Sequence, residues 1–457
     1  MQQYNLMVLV FAIITFVKLR QSLESAMLDV FLPVLLLVPA IYFLRIPHVT
    51  PVSCCDVVLL PLGTAALVYR SHSWRFQRAD LWVVGFAVAG FITDCINMDL
   101  KTAVYDLVDP GFLGGVFAYV IGKLLIEQTG NREQFAKRLT VLLAAVGLIS
   151  VSEFIFKYDL FVVVTHRFFG QANYWGDQYR YGFDRVKGPF LGPEEAGIVF
   201  LMGFFLALWL WFLSRNRQNQ DERQYLGLRR STLCCVGILL GLVMTISRGP
   251  ELGVALGYLI ARVGLVKKRG LALIVALILI SSGLVIAHQR TVELQATSDD
   301  ASLDETQASA AYRTRLYEVY EPFAEEGGMF GWSAAKYQKT SASKYPKTAA
   351  FFSIDNEYLF LWVTQGRIGL TFFLLIAAEG AIGLIRAILR SQQAIDTCFY
   401  YCMGGMLAGL LVVLITVYLT AQGYMLFFVF SGWIQSLRFD AWAPRSGPQF
   451  TFRRIIK

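Results

Sequence analysis

The chain has 457 residues, of which 56% are hydrophobic and only 16% are charged. Soluble domains are about 25% charged, so this composition excludes a water-soluble protein and predicts an integral membrane protein. The net charge is +8, but the positions of the basic residues along the chain matter more than this sum. The charge pattern does not predict a nucleic-acid partner.

Apolar windows of about 20 residues predict the membrane spans in chain order. The first apolar run, at 6–18, is short for a span and predicts either an extra span or an interfacial helix. No basic segment precedes it and no small-residue cleavage site follows it, so we expect no cleaved signal peptide. The predicted spans are 28–44, 54–70, 79–97, 108–127, 138–156, 190–213, 231–247, 249–266, 270–287, 357–385, 398–418 and 421–437. The expected fold is an all-α polytopic membrane protein with about 12–13 transmembrane helices.

Basic residues collect in alternate loops, and the positive-inside rule assigns those loops to the cytoplasm. The intervening loops carry little beyond Arg45 and Lys101. This orientation places the loop at 157–189 and the polar insertion at 288–356 outside the cytoplasm. The predicted organisation is a first membrane part at 1–287, a large extracytoplasmic loop at 288–356, and last membrane helices with a basic tail at 357–457.

Within the large loop, an apolar stripe at helical spacing predicts an amphipathic helix that lies over the membrane domain. The stripe consists of Tyr312, Leu316, Val319 and Phe323. Pro322 is expected to shorten this helix and Gly327 to end it. Arg313 lies on a different face from the stripe. The acidic stretch at 297–307 predicts a mobile excursion before the helix.

The seven cysteines and four histidines form no recognisable metal set. The cysteines lie in or near apolar runs without C-x-x-C spacing, so we expect buried structural cysteines, no metal and no cofactor. Other charges in predicted spans, such as Asp94, Asp106 and Asp109, form no ladder of the kind that a proton relay uses.

Two arginines lie at the extracytoplasmic boundary of the membrane. Arg185 belongs to the segment Arg-Val-Lys-Gly-Pro-Phe, which also contains Lys187, and Arg248 is in a Ser-Arg-Gly turn between two apolar runs. A cation there is costly unless it pairs with an anion or faces water, and two converging guanidinium groups suit a phosphate or diphosphate. The alternative is a turn with a snorkelling arginine. Arginine on this side opposes the positive-inside bias, which favours the functional interpretation.

Carboxylates lie at two further span starts on this side. Glu195 begins the span at 190–213, and Asp355-Asn356-Glu357 opens the span at 357–385. Asp355 is a candidate base for a hydroxyl group, provided that burial or geometry raises its ordinary pKa of about 4. The alternatives are capping of the helix by Asp355 or Asn356, and dipole interactions of the two glutamates with helix N-termini.

At these residues the chain resembles the superfamily of O-antigen ligases and polymerases, which build bacterial envelope glycans. The resemblance covers roughly 28–437. It rests on Arg185 through Phe190, Ser247-Arg248-Gly249, the loop near 288–356, Asp355 through Leu359, and the glycine-bearing continuation Gln365 through Gly369. Ligases carry histidine where this sequence has Asp355, so the chain looks more like the Wzy-type branch of exopolysaccharide polymerases.

The resemblance implies a glycosyltransferase-like polymerase at the periplasmic face of the bacterial inner membrane, which acts by metal-independent inverting glycosyl transfer. The donor would be a glycan on undecaprenyl diphosphate, with Arg185 and Arg248 on the diphosphate and Asp355 as base or acceptor-orienting group. Candidate substrate contacts are Lys187, Glu195, Glu357, Asn356 and Arg313. Membrane lipid, a chain-length regulator and a flippase of the same pathway are the expected partners.

Two alternatives stay open at this point. A ligase that transfers glycan to lipid A-core or to protein would belong to the same enzyme class. A membrane transporter or flippase would belong to a different one, with ionisable groups near the bilayer midplane and often with inverted repeats. This chain concentrates its charges at the outer boundary and has no evident repeat, which favours an enzyme.

Overall fold

The computed structural model describes residues 2–39, 42–44, 52–169, 178–216, 224–225, 228–266, 305–351 and 353–437. The predicted span at 270–287 and most of the acidic stretch at 297–307 lie outside these residues. The α-helices are α1 (Gln2–Leu19), α2 (Leu23–Ala26), α3 (Leu32–Leu37), α4 (Cys54–Arg70), α5 (Arg78–Asn97), α6 (Leu100–Asp106), α7 (Ala118–Leu125), α8 (Arg132–Phe156), α9 (Leu160–Phe169), α10 (Pro193–Asn216), α11 (Arg230–Met244), α12 (Arg248–Leu265), α13 (Glu305–Gly327), α14 (Tyr337–Lys344), α15 (Glu357–Arg390), α16 (Ala394–Val413) and α17 (Ala421–Ser436).

Shorter elements complete the described chain. Two π-helices, Met27–Phe31 and Leu107–Phe117, join α2 to α3 and α6 to α7, and 3-10 turns lie at Ser71–Ser73 and Pro346–Ala350. Three antiparallel pairs of two-residue strands are β1 (Phe43–Leu44) with β2 (Val52–Ser53), β3 (Tyr179–Arg180) with β4 (Phe183–Asp184), and β5 (Gln224–Tyr225) with β6 (Leu228–Arg229).

Within the described ranges, seven helical segments are long and apolar enough to cross a membrane. They are Cys54–Ser73, Arg78–Asn97, Leu100–Leu125, Arg132–Phe156, Pro193–Arg215, Glu357–Arg390 and Ala394–Val413. This confirms the predicted all-α polytopic membrane fold. Fewer helices reach full spanning length than the sequence predicted. In the segment predicted at 28–44, the last helix ends at Leu37. The spans predicted at 231–247 and 421–437 correspond to helices of 15 and 16 residues.

Glycines let helices α12 and α16 approach each other closely. Gly253 and Gly257 in α12 face Gly405 and Gly409 in α16, each pair at the small-x-x-x-small spacing that permits backbone contact between membrane helices. A Cβ atom on Gly253 would lie 2.7 Å from the Gly409 carbonyl oxygen, so a larger residue is excluded there. This packing fixes the start of α12, where Arg248 lies, beside the turn that follows α16.

Helix α15 reverses direction at Gly366, whose backbone has φ 67°. The rings of Tyr358 and Phe373 are 6.2 Å apart, whereas a straight helix would separate these residues by about 22 Å. The backbone groups freed by the break pair with residues 328–333: Arg367 N with Gly328 O (3.2 Å), Ile368 N with Met329 O (3.1 Å), Trp332 N with Val363 O (2.9 Å) and Ser333 N with Thr364 O (2.9 Å). The large loop is therefore anchored directly on the broken helix.

The amphipathic helix predicted in the large loop is present as α13. A satellite core under it contains Leu316, Tyr320, Phe323, Ala324, Tyr337, Ile354, Leu359 and Val363. The helix ends at Gly327 as expected, but Pro322 lies inside it and does not shorten it. Its packing on the first part of α15 brings the N-terminal half of α13 over the residues around Asp355.

Candidate functional site

The β3–β4 hairpin presents two arginines to one face of the helical bundle. Its turn contains Tyr181 at φ 53° and Gly182 at φ 74°, left-handed conformations that suit a tight two-residue turn. Arg180, at the end of β3, donates from Nη1 to the Ile246 carbonyl at 2.9 Å. Arg185 follows β4 directly, and its backbone is held by a 2.9 Å bond from Arg185 N to the Gln178 carbonyl.

Arg185 is built into the wall of the site. Its side chain is only 7% exposed and makes four polar contacts. These are Nε to Thr245 O (3.1 Å), Nη1 to Gln178 Oε1 (2.9 Å), Nη2 to Ser247 Oγ (2.7 Å), and an ion pair from Nη1 to Glu194 Oε1 (2.5 Å). Burial lowers the pKa of Arg185 and the charge of Glu194 opposes that effect. Most of its five donors are therefore committed to the protein.

The C-terminus of α11 binds both arginines of the hairpin segment. The carbonyls of Thr245 and Ile246, which directly follow α11, accept from Arg185 and Arg180, and the carbonyl of Met244, its last residue, accepts from Val186 N at 3.2 Å. Cations at a helix C-terminus are favourable because the unpaired carbonyls carry partial negative charge. The sequence-distant segments 178–192 and 244–248 therefore form one structural unit.

Arg248 is the first residue of α12 and is half-buried. Its guanidinium carbon lies 5.1 Å from the centroid of the Tyr181 ring, a cation–π contact that orients the side chain. Ser247 precedes it as the N-cap but makes no side-chain cap bond to the helix, so the first backbone amides of α12 are not capped from within.

Asp355 precedes α15, and its neighbour Asn356 is the residue that caps this helix. The Asn356 side chain accepts from Leu359 N at 3.0 Å, which settles the capping alternatives in favour of asparagine. Asp355 is half-buried and accepts from Ser353 Oγ at 2.6 Å. Burial raises the pKa of Asp355, the Ser353 hydrogen bond lowers it, and the nearby charge of Glu194 raises it further.

Arg313 reaches the same site from α13 above. Burial lowers its pKa and the charge of Asp355 opposes that effect, while Arg180 and Arg248 are near enough to lower the pKa further. The adjacent Tyr312 donates from its hydroxyl to the Ser353 carbonyl at 3.3 Å, and burial with the Asp355 charge raises its pKa to about 12. These contacts place α13 directly against the segment that carries Asp355.

We call Arg180, Arg185, Arg248 and Arg313 the arginine cluster. The carboxylates that interact with it electrostatically are Glu194, Glu251 and Asp355. Among the described residues, these four guanidinium groups and three carboxylates interact in a partly desolvated site that is rich in fixed positive charge. Such a site suits an anion with several oxygen acceptors.

Three residues that the sequence proposed as substrate contacts take part in hydrogen bonds between a carboxylate and a backbone amide. Glu195 accepts from Leu191 N (2.9 Å) and Gly423 N (3.0 Å), Glu357 accepts from Leu419 N (2.7 Å), and Lys187 N donates to Glu153 Oε1 (3.1 Å). Side chains at all three positions are at most 6% exposed. Their contacts hold the segments around the site in place, and a substrate role for them stays a prediction.

Arg180 and Ser353 were not predicted as site residues from the sequence. A signal for Arg180 exists in the following pair Tyr181-Gly182, which favours a tight turn between two short extended segments. Ser353 has no sequence signal beyond its proximity to Asp355. Among the residues that the structure describes, no group of three or more His, Cys, Asp or Glu side chains is arranged to hold a metal ion.

In a comparison with known families, the family model for O-antigen ligase matches residues 233–374. The matched segment contains Arg248, Arg313, Asp355 and Gly366, whereas the β3–β4 hairpin and Arg185 precede it. The match confirms the resemblance to the O-antigen ligase and polymerase superfamily that the motifs indicated. A comparison with curated proteins gave no match.

Proposed function

We propose that this multi-pass membrane protein polymerises lipid-linked oligosaccharide repeat units by glycosyl transfer. The observation that carries the proposal is the convergence of the arginine cluster on Asp355, within and beside the segment that matches the O-antigen ligase family. We place the reaction at the periplasmic face of the bacterial inner membrane, because the arginine cluster lies on the side that the distribution of basic loops assigns to the outside.

The arginine cluster supplies fixed positive charge for a diphosphate leaving group. Arg248 and Arg313 are the members that we assign to the diphosphate itself, because Arg248 begins α12 at the site and Arg313 interacts electrostatically with both Asp355 and Arg248. Fixed cations that need no reorganisation stabilise charge as it develops on the leaving oxygen. An undecaprenyl diphosphate carrier fits this chemistry and the position of the site at a membrane boundary.

Asp355 is the proposed base. It would take the proton of the acceptor hydroxyl while that oxygen attacks the anomeric carbon and the bond from this carbon to the diphosphate oxygen breaks. The electron pair of the broken bond leaves with the diphosphate, so one displacement inverts the anomeric configuration. Burial raises the pKa of Asp355, and a raised pKa makes a carboxylate a better base than an exposed aspartate.

A ligase is the second candidate, and the description of the matching family favours it. Such an enzyme would pass the same donor glycan to lipid A-core or to protein. Against it stands Asp355, because the ligases that this chain resembles carry histidine at that position. The two candidates share the donor and differ only in the acceptor.

The test uses purified protein in lipid with its undecaprenyl-diphosphate-linked repeat unit as the sole glycan, and the products are resolved by gel electrophoresis. A polymerase gives a ladder of longer lipid-linked glycans that persists when a chelator is added. Transfer only after addition of lipid A-core would identify a ligase. Failure of both reactions with native substrate would favour the transporter. Arg138→Gln, which replaces an exposed arginine on the opposite basic side, is the matched control for cluster variants.

A further inference from the structure

A second cavity, of about 540 Å³, lies beside the arginine cluster and has a different chemistry. It is enclosed by α4, α5, the π-helix Leu107–Phe117, the first part of α15 and the start of α17. Its acidic lining consists of Asp56, Asp94, Asp106, Asp109 and Glu357, and no lysine or arginine lines it among the described residues. The volume falls within the range of about 300–1,000 Å³ that is usual for small-molecule sites.

Two buried amide oxygens that line this cavity, those of Gln422 and Gln365, have no donor among the described residues. Gln422 is 1% exposed; its Nε2 donates to the carbonyls of Val38 (3.3 Å) and Pro189 (3.2 Å), which fixes the amide orientation and leaves Oε1 without a partner. Asp56 is 2% exposed; its Oδ2 accepts from Ser53 N at 2.7 Å, and its carboxyl is hydrogen-bonded to that of Asp109. Buried polar atoms are normally satisfied, so the two amide oxygens point to a ligand that donates hydrogen bonds.

The remaining walls are apolar and aromatic, with Phe86, Phe360 and Tyr424 among them. A surface that combines aromatic rings with several acceptors and no cation suits a neutral, hydroxyl-rich sugar, because hydroxyl groups donate to carboxylates and amides while ring faces pack on aromatic side chains. The same surface disfavours binding of a sugar acid, because the carboxylate of the sugar would lie near five acidic side chains. The carboxylates do not converge as a metal site within the described residues.

The cavity adjoins the proposed base through two contacts. Glu357 lines it two residues after Asp355, and the hydrogen bond from Leu419 N to Glu357 Oε2 (2.7 Å) forms part of its wall. Phe360, another lining residue, packs on Tyr418 with ring centroids 5.4 Å apart. Burial and the charge of Asp355 raise the pKa of Tyr418, so this phenol interacts electrostatically with Asp355 as well as packing on the cavity wall.

We propose that this cavity binds a neutral sugar of the acceptor glycan, so that an acceptor hydroxyl reaches Asp355 while the arginine cluster holds the donor diphosphate. The inference rests on the proposed function for the identity of the acceptor, but sugar binding in the cavity is testable without any turnover. It assigns donor and acceptor to two adjacent sites of opposite charge.

The experiment is saturation-transfer NMR on the full-length protein in lipid nanodiscs with three probes: a methyl hexoside, a methyl N-acetylhexosaminide and a methyl hexuronide. The wild-type protein should transfer saturation to the neutral glycosides and bind the hexuronide at least about tenfold more weakly. Gln422→Met should weaken binding of the neutral glycosides about fivefold, since it removes one hydrogen bond to the ligand. Absence of transfer to any probe from the wild-type protein overturns the inference.

Gln77→Met is the matched control. Gln77 has the same arrangement, with Nε2 bonded to the Gln435 carbonyl at 2.8 Å and Oε1 without a described donor, but it lies at the opposite end of α5. Equal loss of binding in both glutamine variants would overturn the assignment to the cavity. Asp109→Asn provides an independent variant and should relax the discrimination against the hexuronide; unchanged discrimination also counts against the inference.

Arg248→Gln separates this inference from the proposed function. The variant should retain glycoside binding, because Arg248 belongs to the donor site. If glycosides bind in the cavity but no polymer or ligation product forms in the transfer assay, the proposed function fails and the sugar site stands. If transfer occurs but Gln422→Met leaves both glycoside binding and the acceptor KM unchanged, the sugar site fails and the function stands.

Discussion

The guanidinium of Arg185 donates from Nη2 to the hydroxyl of Ser247 at 2.7 Å, although 62 residues separate the two in the sequence. The same Ser247 hydroxyl donates to the Pro193 carbonyl at 3.2 Å. One hydroxyl therefore joins the loop before α10, the start of α10 and the turn before α12. The two arginine motifs of the sequence belong to a single structure, in which Arg185 holds the turn and Arg248 begins the following helix.

Ser247→Ala should therefore disturb the site through its geometry. The variant leaves a buried Arg185 donor without its acceptor, which costs about 1–3 kcal/mol, and we expect a lower unfolding temperature together with reduced transfer activity. Thermal unfolding in detergent and the gel assay measure the two effects. Ser436→Ala removes a buried hydroxyl that bonds only within its helix end, and it should change activity little. Equal effects of both variants would contradict a specific role for Ser247.

Arg248→Gln should affect mainly activity, whereas Arg185→Gln should affect both stability and activity. Arg248 is half-buried at the start of α12 and contacts Tyr181, so its loss should lower kcat/KM about 10²–10³-fold, as expected for a group that stabilises developing charge. Its loss should lower thermal stability less than loss of the buried Arg185 does. Arg185 makes four contacts within the protein, so its loss should lower both stability and activity.

Donor titrations and thermal unfolding of the two variants, with Arg138→Gln as control, distinguish these roles. An Arg248→Gln protein with wild-type donor KM and kcat would remove Arg248 from the diphosphate site. An Arg185→Gln protein of wild-type stability would show that its contacts with Thr245, Ser247 and Glu194 do not hold the turn.

Local chemistry explains why the sequence indicated part of this site. Arg185, Arg248 and Asp355 each lie where an apolar run meets a polar segment, and the distribution of basic loops is sufficient to assign them to one side. Arg180 was missed because its placement depends on the β3–β4 hairpin and on the C-terminus of α11, which are contacts between distant segments. Glu195 is the converse case: its carboxylate accepts from the amides of Leu191 and Gly423, and no local pattern reveals the second contact because it joins distant segments.

Local sequence patterns also do not predict the break in α15. The sequence predicts one span at 357–385, because its apolar residues continue through Gly366. The reversal at that glycine depends on backbone pairing with residues 328–333 in the large loop. The capping of α15 is a similar case, since aspartate and asparagine are both good N-cap residues and only the backbone position of Asn356, at φ −161° and ψ 113°, decides between them.

The pH dependence of transfer tests Asp355 as the base. A base must be deprotonated, so activity should fall as the pH decreases through the pKa of Asp355, and burial places that pKa above the usual value for aspartate. The acid limb of kcat/KM should therefore lie above the pH of about 4 that is expected for an unperturbed aspartate. Asp355→Asn should abolish this limb together with most of the activity.

Ser353→Ala tests the same assignment through the direction in which the pKa of Asp355 shifts. The Ser353 hydroxyl donates to Asp355 Oδ1 at 2.6 Å and so stabilises the charged carboxylate, which lowers the pKa. Its removal should shift the acid limb to higher pH. A shift to lower pH, or an acid limb that persists in Asp355→Asn, would assign the limb to another group.

Gly366→Ala should disrupt the backbone pairing between α15 and residues 328–333 of the large loop. At φ 67° an alanine is strained, and its Cβ would also meet the backbone of Met329 and Phe330, so the pairing between α15 and residues 328–333 cannot form unchanged. We expect a loss of stability of at least about 1–2 kcal/mol and loss of transfer, because the first part of α15 carries Asp355 at its start. Gly383→Ala is the matched control in the same helix: its Cβ would lie 3.6 Å from Ile434 Cγ2, an ordinary contact, and alanine favours a helix more than glycine does. Hydrogen exchange of residues 328–333 should increase in Gly366→Ala and remain unchanged in Gly383→Ala; protection in both variants would show that the loop does not depend on the break in α15.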